Sequence, residues 1–257
     1  MSKLKTCWIT LCFNEIDILP FVSQYWERIG CDVVVYDNGS TDGSIQYLLE
    51  LPYVTLKHFD SEGQNDVIQK TVKEQAYLEL KDKYDIIIIS DMDEVFYFND
   101  FKAISEAFVS GGYNILMTPI ISLCEDSKPP YMRDKLLHQQ CHKFYKQKMN
   151  HMNGFEGYSK LSIFNTKTTD RVSMSVGQHY VQTSPGMRIM LSDKDFCLHV
   201  DKGLGEDFFV QKRQKMGANL SKINIRGGMC LEYLKKEEEL RKEYREKQKK
   251  SFDINSL

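Results

Sequence analysis

The stretch Asp85-Ile-Ile-Ile-Ile-Ser-Asp-Met-Asp-Glu94 places four isoleucines shortly before a group of three carboxylates. A run of β-branched apolar residues without polar alternation is typical of a strand buried on both faces, as in a parallel sheet covered by helices. Its abrupt polar end therefore predicts a functional site at the carboxyl end of a buried strand.

Asp91 and Asp93 are separated by a single residue. In an extended segment both side chains would project to the same side, where two negative charges repel each other unless a cation lies between them. Carboxylates are hard oxygen ligands that suit Mg²⁺ or Mn²⁺, and these ions commonly bind one or two carboxylates together with substrate phosphates. We therefore expect a metal site that handles a phosphate-bearing substrate.

The composition is that of a globular protein with balanced charge. The chain has 257 residues, of which 42% are hydrophobic, enough for one large core or two unequal ones. We expect one main domain with an elaborated C-terminal portion. The formal net charge is −2, from 34 basic and 36 acidic side chains, so no overall field favours nucleic acid or an anionic membrane.

Seven cysteines are spread through the chain without a C-x-x-C pair. An odd number of cysteines within apolar runs predicts free buried thiols in a reducing compartment rather than a disulfide framework. No stretch approaches the roughly 18 apolar residues that span a bilayer. The opening Met-Ser-Lys-Leu-Lys-Thr also lacks a signal-peptide core, so a cytoplasmic location is expected.

Strand and helix patterns alternate along the first half of the chain. Strands are predicted at Cys7–Phe13, Asp32–Tyr36, Val54–Phe59, the isoleucine run and Ile115–Ile121. Helices are predicted from Asp17 to Gly30, at Ser44–Glu50, at Val67–Lys83 and around Phe101–Phe108. Repeated crossovers of this kind build a parallel sheet with helices on both faces, and ligands bind at the carboxyl ends of its strands. Asn14-Glu15, Asp37-Asn38 and Asp91–Asp93 all fall at such ends.

The second half gives weaker patterns. Lys160–Phe164 and Phe196–Val200 predict strands, and Leu231–Lys250 predicts one charged helix. Cys124–Asn153 is rich in Lys, His, Gln and Met, and predicts an irregular or helical insertion that could cover the site.

Three motifs of the first half resemble a known family. Asn14-Glu15, the string Val33-Val-Val-Tyr-Asp-Asn-Gly-Ser-Thr-Asp-Gly43 and Asp91-Met-Asp-Glu94 are similar to the nucleotide-sugar-binding half of family 2-like glycosyltransferases with the GT-A fold. The resemblance covers roughly the first 120 residues. It implies a Rossmann-like mixed, mainly parallel sheet with helices on both faces.

The second half resembles a bacterial subgroup of these enzymes with a D-x-D-E motif. The matching segments are Lys160–Phe164, Gly177-Gln-His179, Leu198-His199-Val-Asp-Lys202 and Arg213. Val200 and the extra residue before Lys202 depart from the pattern of the subgroup. With this resemblance the chain divides into a nucleotide-sugar-binding half (1–120), an acceptor-side half of the same domain (121–230), and a charged C-terminal helix and tail (231–257).

The resemblance implies a role for each motif carboxylate. Asp93 would ligate a divalent cation, Mn²⁺ or Mg²⁺, and Asp91 would contact the ribose, or the metal through water. His199 follows an apolar segment, and its neutral imidazole can complete a mixed oxygen and nitrogen metal shell, with His179 as the substitute. The alternative is that the carboxylates only cap the next loop and that the histidine is structural.

Several residues are candidates for contact with the nucleotide. Asp37 can accept hydrogen bonds from the base or ribose, although Asp-Asn-Gly-Ser also forms turns by itself. The other candidates are polar or cationic groups that could contact nucleotide or pyrophosphate, namely Asn14, Glu15, Asn38, Lys160, Lys202 and Arg213. Asn14 and Glu15 could instead cap the following helix.

An inverting transfer needs a general base near the acceptor hydroxyl. Glu206-Asp207 resembles the Glu-Asp motif that supplies this base in many family 2 enzymes, so Asp207 is the first candidate. The alternative is that these carboxylates open a helix, with Glu156 or Glu125 as the base. A retaining reaction would need no such residue.

These expectations describe a metal-assisted enzyme that moves a sugar from a nucleotide-diphosphate sugar, UDP-sugar by family analogy, to a glycan, lipid-linked or other hydroxyl acceptor. The setting implied is surface polysaccharide or glycoconjugate synthesis, with peripheral contact between the charged helix and membrane lipid as an option. The alternatives are a nucleotidyltransferase and a non-catalytic nucleotide-binding module. A zinc site at His138, Cys141, His142 and His151 is disfavoured, because a second paired set of ligands is lacking.

Overall fold

The computed structural model describes residues 3–146, 159–178 and 180–253. Its first half alternates strands and helices, as the sequence predicts. The elements are β1 (Thr6–Cys12), α1 (Leu19–Ile29), β2 (Asp32–Asp37), α2 (Ser44–Leu49), β3 (Val54–His58), α3 (Asp66–Leu80), β4 (Ile86–Asp91), β5 (Glu94–Tyr97), α4 (Phe101–Ser110) and β6 (Ile115–Leu123).

The second half is richer in short strands. Its elements are α5 (Leu137–Gln140), β7 (Lys143–Lys146), β8 (Ser159–Asn165), β9 (Arg171–Met174), β10 (Val181–Ser184), β11 (Ile189–Leu191), β12 (Phe196–His199), α6 (Glu206–Ala218), α7 (Lys222–Arg226), α8 (Glu237–Lys249) and β13 (Phe252–Asp253). Short 3₁₀ turns lie at Val176–Gln178 and Leu231–Leu234.

One large sheet organises the chain, in the order β13-β7-β6-β8-β4-β1-β2-β3. The pairings β1–β2, β1–β4 and β2–β3 are parallel, and β8 inserts antiparallel between β4 and β6. All strands of the parallel part therefore end at one edge. This confirms the predicted fold class, an α/β Rossmann-like mixed sheet with helices on both faces and an elaborated C-terminal portion.

Alternating residues of the central strands build two separate cores. Trp8, Val33 and Ile88 belong to the core that contains α1, whereas Ile9, Val34 and Ile87 belong to the core that contains α3. Successive side chains of a strand point to opposite faces, so a strand covered on both sides must be apolar throughout. The uninterrupted isoleucine run follows from this position, with both sheet faces covered by helices.

Local sequence signals set the ends of the main helices. Pro20 stands in the first turn of α1, where its missing N–H costs no hydrogen bond, and Gly30 ends the helix with φ of 67°. The side chain of Asn65 accepts a hydrogen bond from Ile68 N at the start of α3. Asp100 caps α4 in the same manner, through Ala103 N.

Two features differ from the sequence-based expectation. The strand β5 was not predicted, although it pairs antiparallel with β12 and carries Glu94. The single helix predicted over Leu231–Lys250 is instead a 3₁₀ turn followed by α8, with extended backbone at Lys236. Three glutamates fill the first turn of α8, where negative charge is favoured by the helix dipole, so the helix begins there.

The remaining expectations about the second half concern Cys124–Asn153 and the cysteines. The described part of Cys124–Asn153 is mostly irregular, with α5 and β7 as its regular elements, and residues 147–153 lie outside the described residues. All seven cysteines are free thiols, and six of them are buried, as predicted. Among the helices of the described ranges, none is both long enough and apolar enough to cross a bilayer.

Candidate functional site

The carboxyl ends of β1 and β4 and the residue after β2 meet at one cavity of about 710 Å³. Its lining includes Asn14, Glu15, Asn38, Asp91 and Asp93, so the structure brings together the polar ends of three strands that are distant in sequence. Cavities of this size accommodate small organic ligands. The edge of the sheet where a ligand was expected therefore borders a cavity.

Asp91 and Asp93 do not face the same partner. Asp91 is the last residue of β4, and Met92 and Asp93 form a turn before β5, so the extended geometry assumed from the sequence is wrong at this point. Asp91 pairs with Lys73 of α3 at 2.5 Å, whereas Asp93 Oδ2 lies 3.1 Å from Lys212 Nζ of α6. The two carboxylates are thus held by lysines from two different helices.

The antiparallel pairing of β12 with β5 brings His199 to this edge. His199 lies opposite Glu94 in β5 and opposite Ser122 in the parallel neighbour β6. The backbone N–H of Val200 donates to the carbonyl oxygen of Asp93 over 2.8 Å. A second-half strand therefore fixes the position of the histidine relative to the turn that carries Asp93.

Asp93, His199 and Asp201 form a cluster whose possible ligand atoms lie within 4.8 Å of one another. Asp201 is the member that the sequence analysis missed. Its Oδ1 lies 2.6 Å from His199 Nδ1. Asp201 follows His199 by two residues, so a search for groups sharing one side of an extended segment would have found it.

Asp201 is buried and already carries several partners. Lys202 Nζ lies 2.9 Å from each of its oxygens, and Arg213 lies 3.1 Å from Oδ2. Burial alone would raise the pKa of Asp201, but the positive charges of His199, Lys202 and Arg213 outweigh it and hold this pKa well below its ordinary value. The carboxylate of Asp201 is therefore ionised, and it positions the side chains of His199, Lys202 and Arg213.

Two lysines of the cavity, Lys212 and Lys73, also have no signal in the sequence. Lys212 Nζ contacts Glu15 at 2.9 Å and Asp93 at 3.1 Å, and its side chain is only 13% exposed. Burial lowers the pKa of Lys212, but the two carboxylates outweigh it and raise this pKa above its ordinary value. Lys73, which pairs with Asp91, is buried in α3. A lysine within a helix gives no local sign of such long-range pairing.

The predicted pyrophosphate-binding cations have different positions. Arg213 and Lys202 line the cavity, and both are bonded to Asp201. Burial lowers the pKa of Lys202, with Asp201 opposing this effect. Lys160 lies in β8 opposite Thr118, but its side chain is not described. His179 lies outside the described residues.

The loop after β2 has a clear structural role. Asp37 Oδ2 accepts hydrogen bonds from Gly39 N and Ser40 N at 2.9 Å each, and Gly39 has φ of 79°, a conformation that favours glycine. The other oxygen, Oδ1, is buried without a hydrogen-bond partner among the described residues. Asp37 thus forms the turn that its sequence predicts, and its contact with a nucleotide stays a prediction.

Asn14 and Asn38 are likewise tied to neighbouring loops. Asn14 Oδ1 accepts from Thr41 N at 2.7 Å, and Asn38 Nδ2 donates to Ser61 Oγ at 2.8 Å. Both residues also line the cavity. Their side chains therefore hold the cavity wall together, and nucleotide contact remains a prediction for both.

The candidate bases lie away from the cavity or outside the described residues. The side chain of Asp207 is 78% exposed and pairs with Arg241 of α8 at 2.8 Å, and it does not line the cavity. Glu125 accepts hydrogen bonds from the backbone N–H groups of His142 and Lys143, which is a structural role. Asp207 is therefore engaged by Arg241 outside the cavity lining, and its role as a base stays a prediction. Glu156 lies outside the described residues.

The donor set at the cavity fits a divalent cation. Asp93 offers a carboxylate and His199 a ring nitrogen, a mixed set that could hold a divalent metal ion. Because Asp201 holds His199 through Nδ1, the Nε2 atom is the one left for a metal, as second-shell carboxylates commonly arrange. Asp91 is not part of this cluster, and its contact with the ribose, or with the metal through water, stays a prediction.

Comparisons with known proteins find solved structures that are weakly similar in fold and low in sequence identity. No protein-family model matches the sequence, and neither does any curated protein. Among solved structures, S. aureus TarS 1-349 is 12% identical with a TM-score of 0.48, over 86% of this chain and 68% of that chain. A structure of S. aureus TarS is 13% identical with a TM-score of 0.46, over 86% of this chain and 41% of that one. With both TM-scores below 0.5, the functional assignment rests on the residues of this chain.

Proposed function

We propose that this protein is a glycosyltransferase that moves a sugar from a nucleotide-diphosphate donor to a hydroxyl acceptor. The observation that carries the proposal is the set of ionised groups at the carboxyl ends of parallel strands, where Asp93, His199 and Asp201 meet Lys212 and Arg213 around one cavity. Metal-ligating groups and cationic side chains both stabilise the negative charge that develops on a departing diphosphate. The motif resemblance of the first half agrees with this function.

The roles of the residues follow from their positions. Asp93 and His199 would hold the divalent cation, with Asp201 fixing the orientation of the imidazole ring. When bound, the cation supplies Lewis-acid stabilisation of the negative charge that develops on the departing diphosphate. Lys212 and Arg213 add positive charge to the cavity lining beside this cluster, where they contact Asp93 and Asp201.

The nucleoside half of the donor is assigned to the cavity wall built by the ends of β1, β2 and β4. Asn14, Asn38 and Asp91 line this wall, and Asp37 lies buried behind it. Lys73 neutralises part of the charge of Asp91, which eases the approach of an anionic nucleotide. UDP is the nucleotide we propose first, by family analogy alone.

For the acceptor, we propose that the sugar is transferred with inversion to a hydroxyl group, in surface polysaccharide or glycoconjugate synthesis. Inversion needs a base, and Asp207 would have to leave Arg241 before it could serve. Glu156 is therefore the base to test first, with Glu156→Gln expected to lower the turnover number while the KM for donor is kept.

A panel of nucleotide sugars tests the proposed function. With Mn²⁺ present, we expect release of nucleoside diphosphate from at least one UDP-sugar, faster when a hydroxyl acceptor is added. Tight nucleotide binding without hydrolysis or transfer by any donor would instead support a non-catalytic binding module. Incorporation of a nucleotide with release of pyrophosphate from a nucleoside triphosphate would support a nucleotidyltransferase.

A further inference from the structure

The ammonium group of Lys212 lies between two carboxylates from separate parts of the fold. Glu15 belongs to the loop after β1, and Asp93 to the turn between β4 and β5. The three side chains are 13%, 14% and 16% exposed for Lys212, Glu15 and Asp93, so water screens their charges only partly. Lys212 is therefore a built-in positive charge in direct contact with the carboxylate proposed to bind metal.

The acidic groups of this region are matched by cations of the chain itself. Glu15 and Asp93 share Lys212, while Asp201 is bonded to Lys202 and Arg213. A divalent cation at Asp93 and His199 would bring two further positive charges next to Lys212. Coulomb repulsion at such short range is substantial in a partly buried site, so the two cations compete for Asp93.

We propose that Lys212 is an exchangeable counter-cation, which a divalent cation displaces from Asp93 and which then contacts the diphosphate of the donor. The inference rests on the proposed function, because it takes a nucleotide diphosphate as the ligand. Glu15 keeps a partner for the ammonium group during this exchange. The anionic diphosphate then offers Lys212 a replacement for the carboxylate that it has lost.

Lys73 provides a useful contrast within the same cavity. Its ammonium group pairs with Asp91 at 2.5 Å and also donates to the side-chain oxygen of Gln178 over 3.4 Å. The amide of Gln178 is fixed in turn by Ile89 O and Ser162 Oγ. Lys73 thus keeps a neutral partner, Gln178, besides Asp91, whereas both partners of Lys212 are carboxylates, one of them the proposed metal ligand.

Mn²⁺ binding to the nucleotide-free protein tests the first step, with free Mn²⁺ measured by electron paramagnetic resonance. We expect Lys212→Met to bind Mn²⁺ at least about tenfold more tightly than the wild type, because the competing charge is gone. Lys222→Met in α7 loses the same charge outside the cavity lining and should bind as the wild type does. Unchanged or weaker Mn²⁺ binding by Lys212→Met overturns the proposal.

The double variant Glu15→Gln/Lys212→Met guards against misfolding, because it removes one charge of each sign and leaves the region balanced. Circular dichroism melting curves establish that each variant is folded. Its reference is Glu15→Gln alone, because both proteins lack the same carboxylate beside the site. Mn²⁺ binding by the double variant that is tighter than that of Glu15→Gln supports the exchange, and equal binding overturns it.

UDP binding by calorimetry at saturating Mn²⁺ tests the second step. We expect Lys212→Met to bind UDP at least about tenfold more weakly, because the ammonium contact with the diphosphate is lost. Unchanged UDP affinity overturns that step. These measurements need no turnover, so a protein that shows both effects but transfers no sugar would refute the glycosyltransferase assignment while leaving the counter-cation exchange in place.

Discussion

Asp201 Oδ1 lies 2.6 Å from His199 Nδ1, and the same carboxylate is bonded to Lys202 and Arg213. The side chain of Asp201 is 2% exposed, so water screens the charge of this carboxylate very little. If the charge of Asp201 is removed, the positive charges of its partners are left in the protein without a counter-charge. Asp201 therefore has a structural importance that the more exposed acidic residues of the cavity do not share.

Replacing Asp201 and Asp91 by asparagine should have very different effects on stability. We expect Asp201→Asn to lower the free energy of unfolding by about 3 kcal/mol, because the buried Lys202 and the partly buried Arg213 lose their counter-charge. Asp91→Asn should cost less, about 1–2 kcal/mol, because the side chain of Asp91 is 41% exposed and its buried partner Lys73 keeps the side-chain oxygen of Gln178. Urea denaturation of both variants measures the difference, and similar midpoints would contradict it.

Asp93→Asn should abolish transfer while leaving the fold intact. The amide keeps the size of the side chain but removes the charge proposed to hold the metal, so we expect a loss of roughly 100-fold or more in the turnover number. Nucleotide release from a UDP-sugar with Mn²⁺ measures this loss. Asp193→Asn, the same change at an exposed position, is the matched control. Near-normal turnover of Asp93→Asn would count against the proposed metal site.

His138 should make stability fall as the solution becomes acidic. Burial, helped by the charge of Arg28, lowers the pKa of His138 from 6.5 to about 4, and its ring Nδ1 lies 2.9 Å from Tyr25 Oη. The unfolded chain takes up the proton first, so the stability contributed by the neutral ring is present above pH 6.5 and is lost as the pH falls from there to about 4. The slope for one group is at most about 1.4 kcal/mol per pH unit.

The His138→Gln variant isolates this effect. Denaturant unfolding of wild type and variant between pH 7.5 and pH 5 should show a steeper loss for the wild type, by about 2 kcal/mol over the range. Other titrating groups are common to both proteins and cancel in the difference. Parallel stability curves would mean that His138 is protonated as easily in the folded protein as in the unfolded chain.

Tyr244 joins the C-terminal helix to the loop that carries Lys202. Its hydroxyl group donates to Lys202 O over 2.9 Å and lies within hydrogen-bond reach of Glu125 O, while its ring packs against Phe209. Tyr244→Phe should lower the free energy of unfolding by about 1–2 kcal/mol, because buried carbonyl groups lose their donor. The exposed Tyr131 gives the control, with Tyr131→Phe expected to change thermal stability by less than about 0.5 kcal/mol. Equal melting temperatures for the two variants would argue against this role.

The fold of the first half could be predicted from the sequence because its strands, helix ends and turns are specified by neighbouring residues. The isoleucine run, the glycine at the end of α1 and the Asp-Asn-Gly-Ser turn each specify their own conformation. The turn at Met92 and Asp93 was not accessible in this way, because the antiparallel pairing of β5 with β12 decides where the chain leaves β4. The same pairing brings His199 into the site.

The sequence by itself determined that apolar strands end in carboxylates at one edge of a sheet, because strand burial and polar strand ends are written in neighbouring residues. Only the tertiary structure decided which cation meets which carboxylate. Lys212 and Asp93 are 119 positions apart, and their contact depends on how α6 packs across the strand ends. A charged residue in a helix has the same local pattern whether it faces water or a buried aspartate, so this pairing has no signature in the sequence.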